Sequence, residues 1–376
     1  MPLPARSVRR AQCRAAIEVA QKSVGLSPLV TREGGGEERG DQREPVGFPA
    51  LMVLAGFAAS LGCTGPPDVV ATPVVVDEPS EPTLFSLSGD LEVYDPSAIV
   101  DGERYWVVST GTRMPVRVST DLKEFKLLGD AVEGLPAWAA DYVPQAGHFW
   151  SPDVAYFGGR YHLYYALAGG GGHLACVGHA TSSTLGVGTW TDDGVPLICT
   201  EQDADWFAID PSVLVDDDGK AWLLLGSSGT GLKLVALGAE GGRTGAEPTP
   251  VAARPDGGVI QASAITRHGA FYYVFAAFDL CCRGADSTRS IRFGRSSMLL
   301  GPYLDRDGRP LLEGGGSVLL ESSSRWKGPG SNDILQHEDQ SFSFYFAYDA
   351  DNGGEVSLRL STLTWDDEGW PRSAGP

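Results

Sequence analysis

DPSVLVDDDGKAWLLLGS, from Asp210 to Ser227, has a short polar opening, an apolar run, a turn of Asp-Asp-Asp-Gly-Lys and a second apolar run carrying Trp222. Two short apolar runs around an Asp/Gly turn read as a β-hairpin. The pattern recurs four more times: DPSAIVDGERYWVVST from Asp95, SPDVAYFGGRYHLYYA from Ser151, QASAITRHGAFYYVFAAF from Gln261 and SNDILQHEDQSFSFYFAY from Ser331. The copies begin roughly 50 to 70 residues apart, the spacing of propeller blades of about four strands each. None has the 3.6-residue periodicity of a helical solenoid. The spacing predicts an all-β fold, a five-bladed β-propeller over residues 88–376. In a ring of blades, equivalent positions face one axis, so Asp95, Ser151, Asp210, Gln261 and Ser331 are expected around one mouth of the central channel.

Composition agrees. The 376 residues include 49 glycines and 9% aromatics, as a turn-rich, β-rich chain requires. The formal charge of −19 disfavours nucleic acid and anionic lipid surfaces as partners and leaves a neutral sugar polymer compatible. Residues 1–63 read as an N-terminal extension. Residues 1–45 lack periodicity, and the apolar run Val46–Cys63 has the length and small-residue end of a signal segment. It resembles a bacterial lipoprotein signal ending at Cys63, with Ser60 where Leu is usual. Such a signal opens a chain, so residues 1–40 are expected to precede the true start. Export is expected, to the periplasm, the outer membrane through a lipid anchor at Cys63, or the exterior. Residues 64–87, Pro-rich and acidic, read as a linker. Cys176 and Cys199 can pair in an oxidising compartment; the adjacent Cys281 and Cys282 are either packed thiols or a vicinal disulfide, and none has zinc-type spacing.

Two of the five repeat openings are carboxylates. Inverting glycosidases need a carboxylate to activate water and a carboxylic acid to protonate the leaving oxygen, about 6.5–9.5 Å apart. A third carboxylate nearby raises the acid's pKa by like-charge repulsion. Asp95 and Asp210 can fill two of these roles. The fourth opening, Gln261, is an amide and cannot donate a proton at a useful pKa.

At these residues the chain resembles glycoside hydrolase family 43, closest to the endo-1,5-α-L-arabinanases. The likeness covers about residues 88–372 and rests on an ordered series: DPS at Asp95, FWSPDV at Phe149, FAIDPSVLVDDDGKAWLLLGS at Phe207, FDLCCRGADS at Phe278, GRSSMLLGPYLDRDG at Gly294, GGGS at Gly314, GPGSND at Gly328, then YDADNGG and WDDEGWP. The resemblance implies that Asp95 is the general base and that Asp210 orients substrate and tunes the acid. It places Gln261 where the family has the acidic Glu, Ser331 on a His that helps hold a central metal ion or water cluster, and Tyr94 on a His before the first Asp. It puts Gly171, the stretch Phe207, Ala208 and Ile209, and the stretch Gly226, Ser227 and Ser228 along the substrate cleft. With the His replaced, no metal and no cofactor are expected.

The expected function is hydrolysis, with inversion, of arabinan or a related arabinose- or xylose-containing polysaccharide or oligosaccharide by a monomer. The alternative is a carbohydrate-binding pseudoenzyme that has kept the cleft and lost the acid. Replacement acids are sought among His148, His173, Asp153, Asp279 and Asp286. Trp150, Phe149 and Trp206 are candidates to stack on sugar rings, with blade packing the commoner use of such residues. Asp216–Gly219 and Asp349–Gly354 lack the spacing of calcium loops and read as turns. Gly169–Gly172 has no Lys-Ser/Thr after it and is not a phosphate loop.

Overall fold

Each repeat copy becomes the first two strands of one antiparallel sheet. The computed structural model describes residues 81–169 and 171–376; the signal-like segment and linker residues 64–80 lie outside them. The first sheet holds β1 (Ser88–Gly89), β2 (Ser97–Asp101), β3 (Arg104–Val108), β4 (Pro115–Ser119) and β5 (Glu124–Asp130). The short helix α1 (Ala139–Tyr142) leads to the second, with β6 (Trp150–Phe157), β7 (Arg160–Ala168), β8 (Ala175–Ser182), β9 (Thr191–Asp192) and β10 (Ile198–Thr200). The third is β11 (Ser212–Val215), β12 (Ala221–Leu225), β13 (Leu232–Ala236) and β14 (Thr249–Ala252). The fourth is β15 (Ile260–His268), β16 (Phe271–Phe278), β17 (Ser290–Ser296) and β18 (Ser317–Leu320). The fifth is β19 (Trp326–His337), β20 (Gln340–Asp349), β21 (Glu355–Trp365) and β22 (Pro371–Ser373). Strands follow chain order within each sheet, except that β1 pairs in parallel with β5 at the edge of the first and β9 pairs with β8.

The opening strands β2, β6, β11, β15 and β19 contact one another in that order, and β19 contacts β2, so five blades close a ring. The apolar core is correspondingly divided into wedges between neighbouring blades. Ile99 and Trp106 meet Val154 and Leu163; Tyr164 and Val177 meet Leu223 and Val235; Leu224 and Leu234 meet Val274 and Ile265. Phe275 and Phe293 meet Tyr345 and Leu363, and Phe344 and Leu358 return to Val107 and Phe125. Because each sheet is covered on both faces, second strands such as β12 (AWLLL) and β16 (FYYVFAAF) are nearly continuous apolar runs. Ring closure also uses residues ahead of Ser88. Thr83 and Phe85 bond to the backbone of β21, Phe85 and Leu87 pack on the wedge between blades five and one, and β1 then joins β5.

Each blade enters the channel through a residue in the left-handed region: Asp95 (φ 47°), Ser151 (41°), Asp210 (56°), Ala262 (52°) and Ser331 (50°). Such conformations are uncommon for residues other than glycine, and here they recur at one place in every blade. In the fourth blade the place belongs to Ala262, not Gln261. The pairing of β15 with β16 slips between Gln261 and Ala264, and β6 and β19 slip likewise at Ser151–Pro152 and Ser331–Asn332. The repeat of blade four therefore begins one residue later than the sequence frame placed it.

Two residues on, a side chain reaches across to the next blade. Ser97 Oγ accepts from the backbone N–H of Val154 (3.0 Å), Asp153 Oδ2 from Val213 (2.7 Å), Ser212 Oγ from Ile265 (3.2 Å) and Asp333 Oδ2 from Ala98 (2.6 Å). Blade four carries Ala264 there. Its joint to blade five is held instead by Gln336 Nε2, which donates to Thr266 Oγ1 (3.0 Å) and Arg267 O (2.6 Å).

Cys176 and Cys199, facing partners on β8 and β10, form a disulfide, and Cys281 is joined to Cys282. Both fit an oxidising compartment. The Asp216 turn is held by its own carboxylate, which accepts from the N–H of Asp218 and Lys220, as expected of a turn.

Burial holds the Asp153 carboxyl well above its usual range, with the charge of Asp333 adding to the effect; burial pushes Asp333 up to about 6. Both groups bind protons more readily folded than unfolded, so their contribution is complete below the unfolded value of about 4; that of Asp333 is lost as pH rises through about 6, and that of Asp153 is lost above its unfolded value. Asp333→Asn is therefore expected to flatten the fall in urea midpoint between pH 4 and 7. An unchanged slope relative to the parent chain would show that these carboxyls are not protonated in the channel.

Candidate active site

Asp95, Ser151, Asp210, Ala262 and Ser331, with the residues following each, line a small cavity, open to solvent, at the channel mouth. One hydrogen-bonded chain links the two carboxylates. Thr110 Oγ1 donates to Asp95 Oδ2 (2.6 Å) and accepts from the N–H of Ser151 (2.8 Å). Ser151 Oγ donates to Asp210 Oδ1 (2.6 Å), and Asp210 Oδ2 accepts from the N–H of Ala262 (2.7 Å). The hydroxyl of Ser331 donates to Asp95 Oδ1. Each Asp95 oxygen thus receives one donor and keeps a lone pair for a ligand in the cavity. Asp95 is half-buried; Asp210 is buried, and burial followed by the charge of Asp95 pushes its pKa up to about 6.

Gln261 is half-buried on β15, paired with Ala277, directly ahead of Ala262; it is not among the residues lining the cavity. The blade-three segments expected at the cleft are tied to each other and to this strand. Phe207 N–H bonds to Ser227 O (3.1 Å), Gly226 N–H to Ile209 O (2.7 Å) and Ser228 N–H to Ile260 O (2.8 Å). Ala208 is buried, its N–H on Thr200 Oγ1. Gly226 has φ 126° and lies against Gly231 O, so a side chain there would collide with backbone. Gly171, at φ 83°, has open space where a Cβ would sit.

The aromatic candidates separate. Trp150 is half-buried, donates from Nε1 to His148 Nε2 (2.6 Å) and meets Phe207 edge-on at 6.5 Å; Phe207 in turn lies 5.6 Å from His173. These four rings make a continuous wall from blade two to blade three. Phe149 is a core residue against Tyr165, and Trp206 packs in the next wedge beneath Lys233. Among the acids considered as replacements, Asp153 is spent on Val213 and Ser97 inside the channel, and Asp279 pairs with Arg254. Burial lowers the His148 pKa.

The metal implied by the resemblance meets a poor set of donors. Ser331 gives its proton to Asp95, and the Arg289 guanidinium, a cation, stands 3.4 Å from that hydroxyl. Among the described residues no three His, Cys, Asp or Glu side chains gather as a metal set. The residues present do not fit a metal ion. Sequence reasoning missed Arg289 and Thr110. Thr110 closes the first repeat copy, and its spacing from Asp95 was the signal; Arg289 lies outside every copy.

A five-bladed ring with two linked carboxylates at its mouth has the kind of groups that glycoside hydrolysis uses. The profile described as "Glycosyl hydrolases family 43" matches residues 89–371, and the chain belongs to that family. It is 34% identical over 299 residues to an extracellular endo-α-(1→5)-L-arabinanase of Bacillus subtilis, covering 78% of this chain and 91% of the relative. It is 33% identical over 300 residues to an extracellular exo-α-(1→5)-L-arabinofuranosidase of Cellvibrio japonicus, covering 75% and 86%. The solved endo-arabinanase of Bacillus licheniformis superposes with a TM-score of 0.73 at 36% identity, over 77% of this chain and 99% of that one. The protein is a glycosidase that hydrolyses O-glycosyl bonds, related to arabinanases.

The electrostatic linkage in the mouth is measurable. Asp95→Asn removes the like charge, so Asp210 should titrate below about 6; Ser151→Ala removes a hydrogen bond to the carboxylate and should move Asp210 the other way. Carboxyl carbon NMR follows both, and equal titration in the two variants would refute the linkage.

Proposed function

We propose that this glycosidase cleaves α-1,5-linked arabinan or a related arabinose-containing polysaccharide with inversion, Asp95 acting as general base and Asp210 as the carboxyl that orients the substrate. The observation that carries the reading is the convergence of Asp95 and Asp210 on one cavity through Thr110 and Ser151. Asp95 takes a proton from water as the water attacks the anomeric carbon, and the leaving oxygen departs from the opposite face. Thr110 and Ser331 fix the Asp95 carboxylate, so its orientation is set before the substrate arrives. The wall of Trp150, Phe207 and His173 offers apolar faces to sugar C–H surfaces, and Gly171 leaves room beside it.

Gln261, at the position matched to the family acid, withholds general-acid assistance, which is typically worth about 10²–10⁴-fold. The penalty should fall on alkoxide leaving groups and spare those that depart unprotonated. The names of the relatives and the two disulfides support action outside the cytoplasm.

The test compares linear arabinan with an arabinoside carrying an activated aryl leaving group. Cleavage of the aryl substrate, slower cleavage of the polymer and a first product of inverted anomeric configuration by proton NMR are expected. Asp95→Asn should abolish both reactions, and Gln261→Glu should raise polymer cleavage by about 10-fold or more. Sugar binding without cleavage of either substrate, or retained configuration, would overturn the reading.

A further inference from the structure

Arg289 immediately precedes β17 and is 4% exposed. Buried arginines are ordinarily matched by a carboxylate or a full set of acceptors. This one is not. Among the described residues its hydrogen bond is from Nη1 to Ser331 Oγ (3.4 Å), and Nε has no partner. Its surroundings are nonetheless shaped to it. The guanidinium carbon lies 5.4 Å from the centre of the Phe346 ring, a cation–π arrangement. Gly330 forms the other wall: a Cβ there would run into Arg289 Cδ and the guanidinium. Gly330 is not in the left-handed region, so what the position demands is space for the arginine, not backbone freedom.

The charge is aimed at the channel mouth. It acts on Asp210, whose carboxylate it favours, and on the Tyr348 hydroxyl. Through Ser331 it also reaches Asp95, because the hydroxyl that accepts a hydrogen bond from Arg289 donates one to Asp95 Oδ1. An ionised carboxylate only accepts, so Ser331 donates to Asp95; the guanidinium, held at a lone pair of the same oxygen, favours the hydroxyl rotamer that keeps that bond. A fixed cation thus stands beside Ser331, the residue that the family resemblance matches to a metal-holding His.

We propose that Arg289 is a positioning residue for hydrolysis: its guanidinium serves as the built-in cation of the channel mouth, fixes the Ser331 hydroxyl on Asp95, and makes the centre independent of a divalent metal ion. The proposal rests on the glycosidase reading of Asp95. Arg289 transfers no proton and forms no bond to substrate in this role. It holds in place the hydroxyl that bonds Asp95 and favours the Asp210 carboxylate in a site of low dielectric, where such effects are strongest.

The test uses the full chain, dialysed against chelator. Calorimetric titration with calcium chloride should show no stoichiometric binding, and neither chelator nor calcium should move the melting temperature or the rate of arabinan cleavage. Arg289→Met should lower kcat by about 10–100-fold with KM changed by no more than about 3-fold, while Arg289→Lys, which keeps the charge, should retain more of the rate. The kcat-against-KM split separates positioning from a merely structural role, which the melting curve of each variant monitors. A stoichiometric calcium site in the parent chain, or a folded Arg289→Met with unchanged kcat, would overturn the proposal. If a variant fails to fold, the calcium titration of the parent chain decides. A parent chain that cleaves no arabinoside would sink the proposed function, whereas the titration would still show whether the mouth accepts a divalent cation.

Discussion

A backbone N–H that enters a narrow channel needs an acceptor, and in this protein four at one repeat position find it on the neighbouring blade. Ser97, Asp153, Ser212 and Asp333 supply the acceptors for Val154, Val213, Ile265 and Ala98. Within a blade the strands satisfy one another; between blades the wedges are apolar and non-directional, and these bonds set the rotation of each blade about the axis. Each is worth roughly 1 kcal/mol, more where the acceptor is ionised, and leaving the donor unpaired costs more than the bond returns. Blade four shows that the constraint lies in the joint, not in the motif: Ala264 has no acceptor, and Gln336 ties the same two blades further along. Because those side chains follow the left-handed residues by two positions, fixing the joints also fixes Asp95, Asp210 and Ser331 around the mouth.

The mouth is an electrostatic compromise. Two carboxylates share a chain of hydroxyls, and the more buried of them, Asp210, has its charge disfavoured by burial and by Asp95. Hydrogen bonds from Ser151 and the Ala262 backbone and the field of Arg289 oppose that shift. Two positions further along, burial raises the pKa of Asp153 and Asp333 as well, and among the described residues neither forms an ion pair. The acidic chain therefore carries its least favourable charges along the axis, where they shape the site.

The five hairpins were legible because each copy satisfies a strong local rule, a turn between two strand-like runs, and because the copies recur at blade spacing. The fold, and the meeting of Asp95 with Asp210, followed from that alone. The one-residue offset in blade four was not legible: bulges at Ser151, Ala262 and Ser331 alter pairing without altering composition. Phe149 and Trp150 are adjacent and chemically alike, yet alternation sends one into the core and leaves the other beside Phe207. Arg289 belongs to no repeat copy, and only the fold brings it against Gly330 and Ser331. Residues 83–87 read as linker because partners that lie more than 250 positions away leave no local trace.

That distant pairing bears on how the molecule is made. Thr83 and Phe85 find their backbone partners in β21, so the seam cannot seal before residues near 362 are in place. Until then the first and fifth blades present open flanks, and the hairpins of the other blades can form without completing the mouth. Closure is a late event of high contact order, which slows maturation and lengthens the interval in which unpaired edges attract other chains.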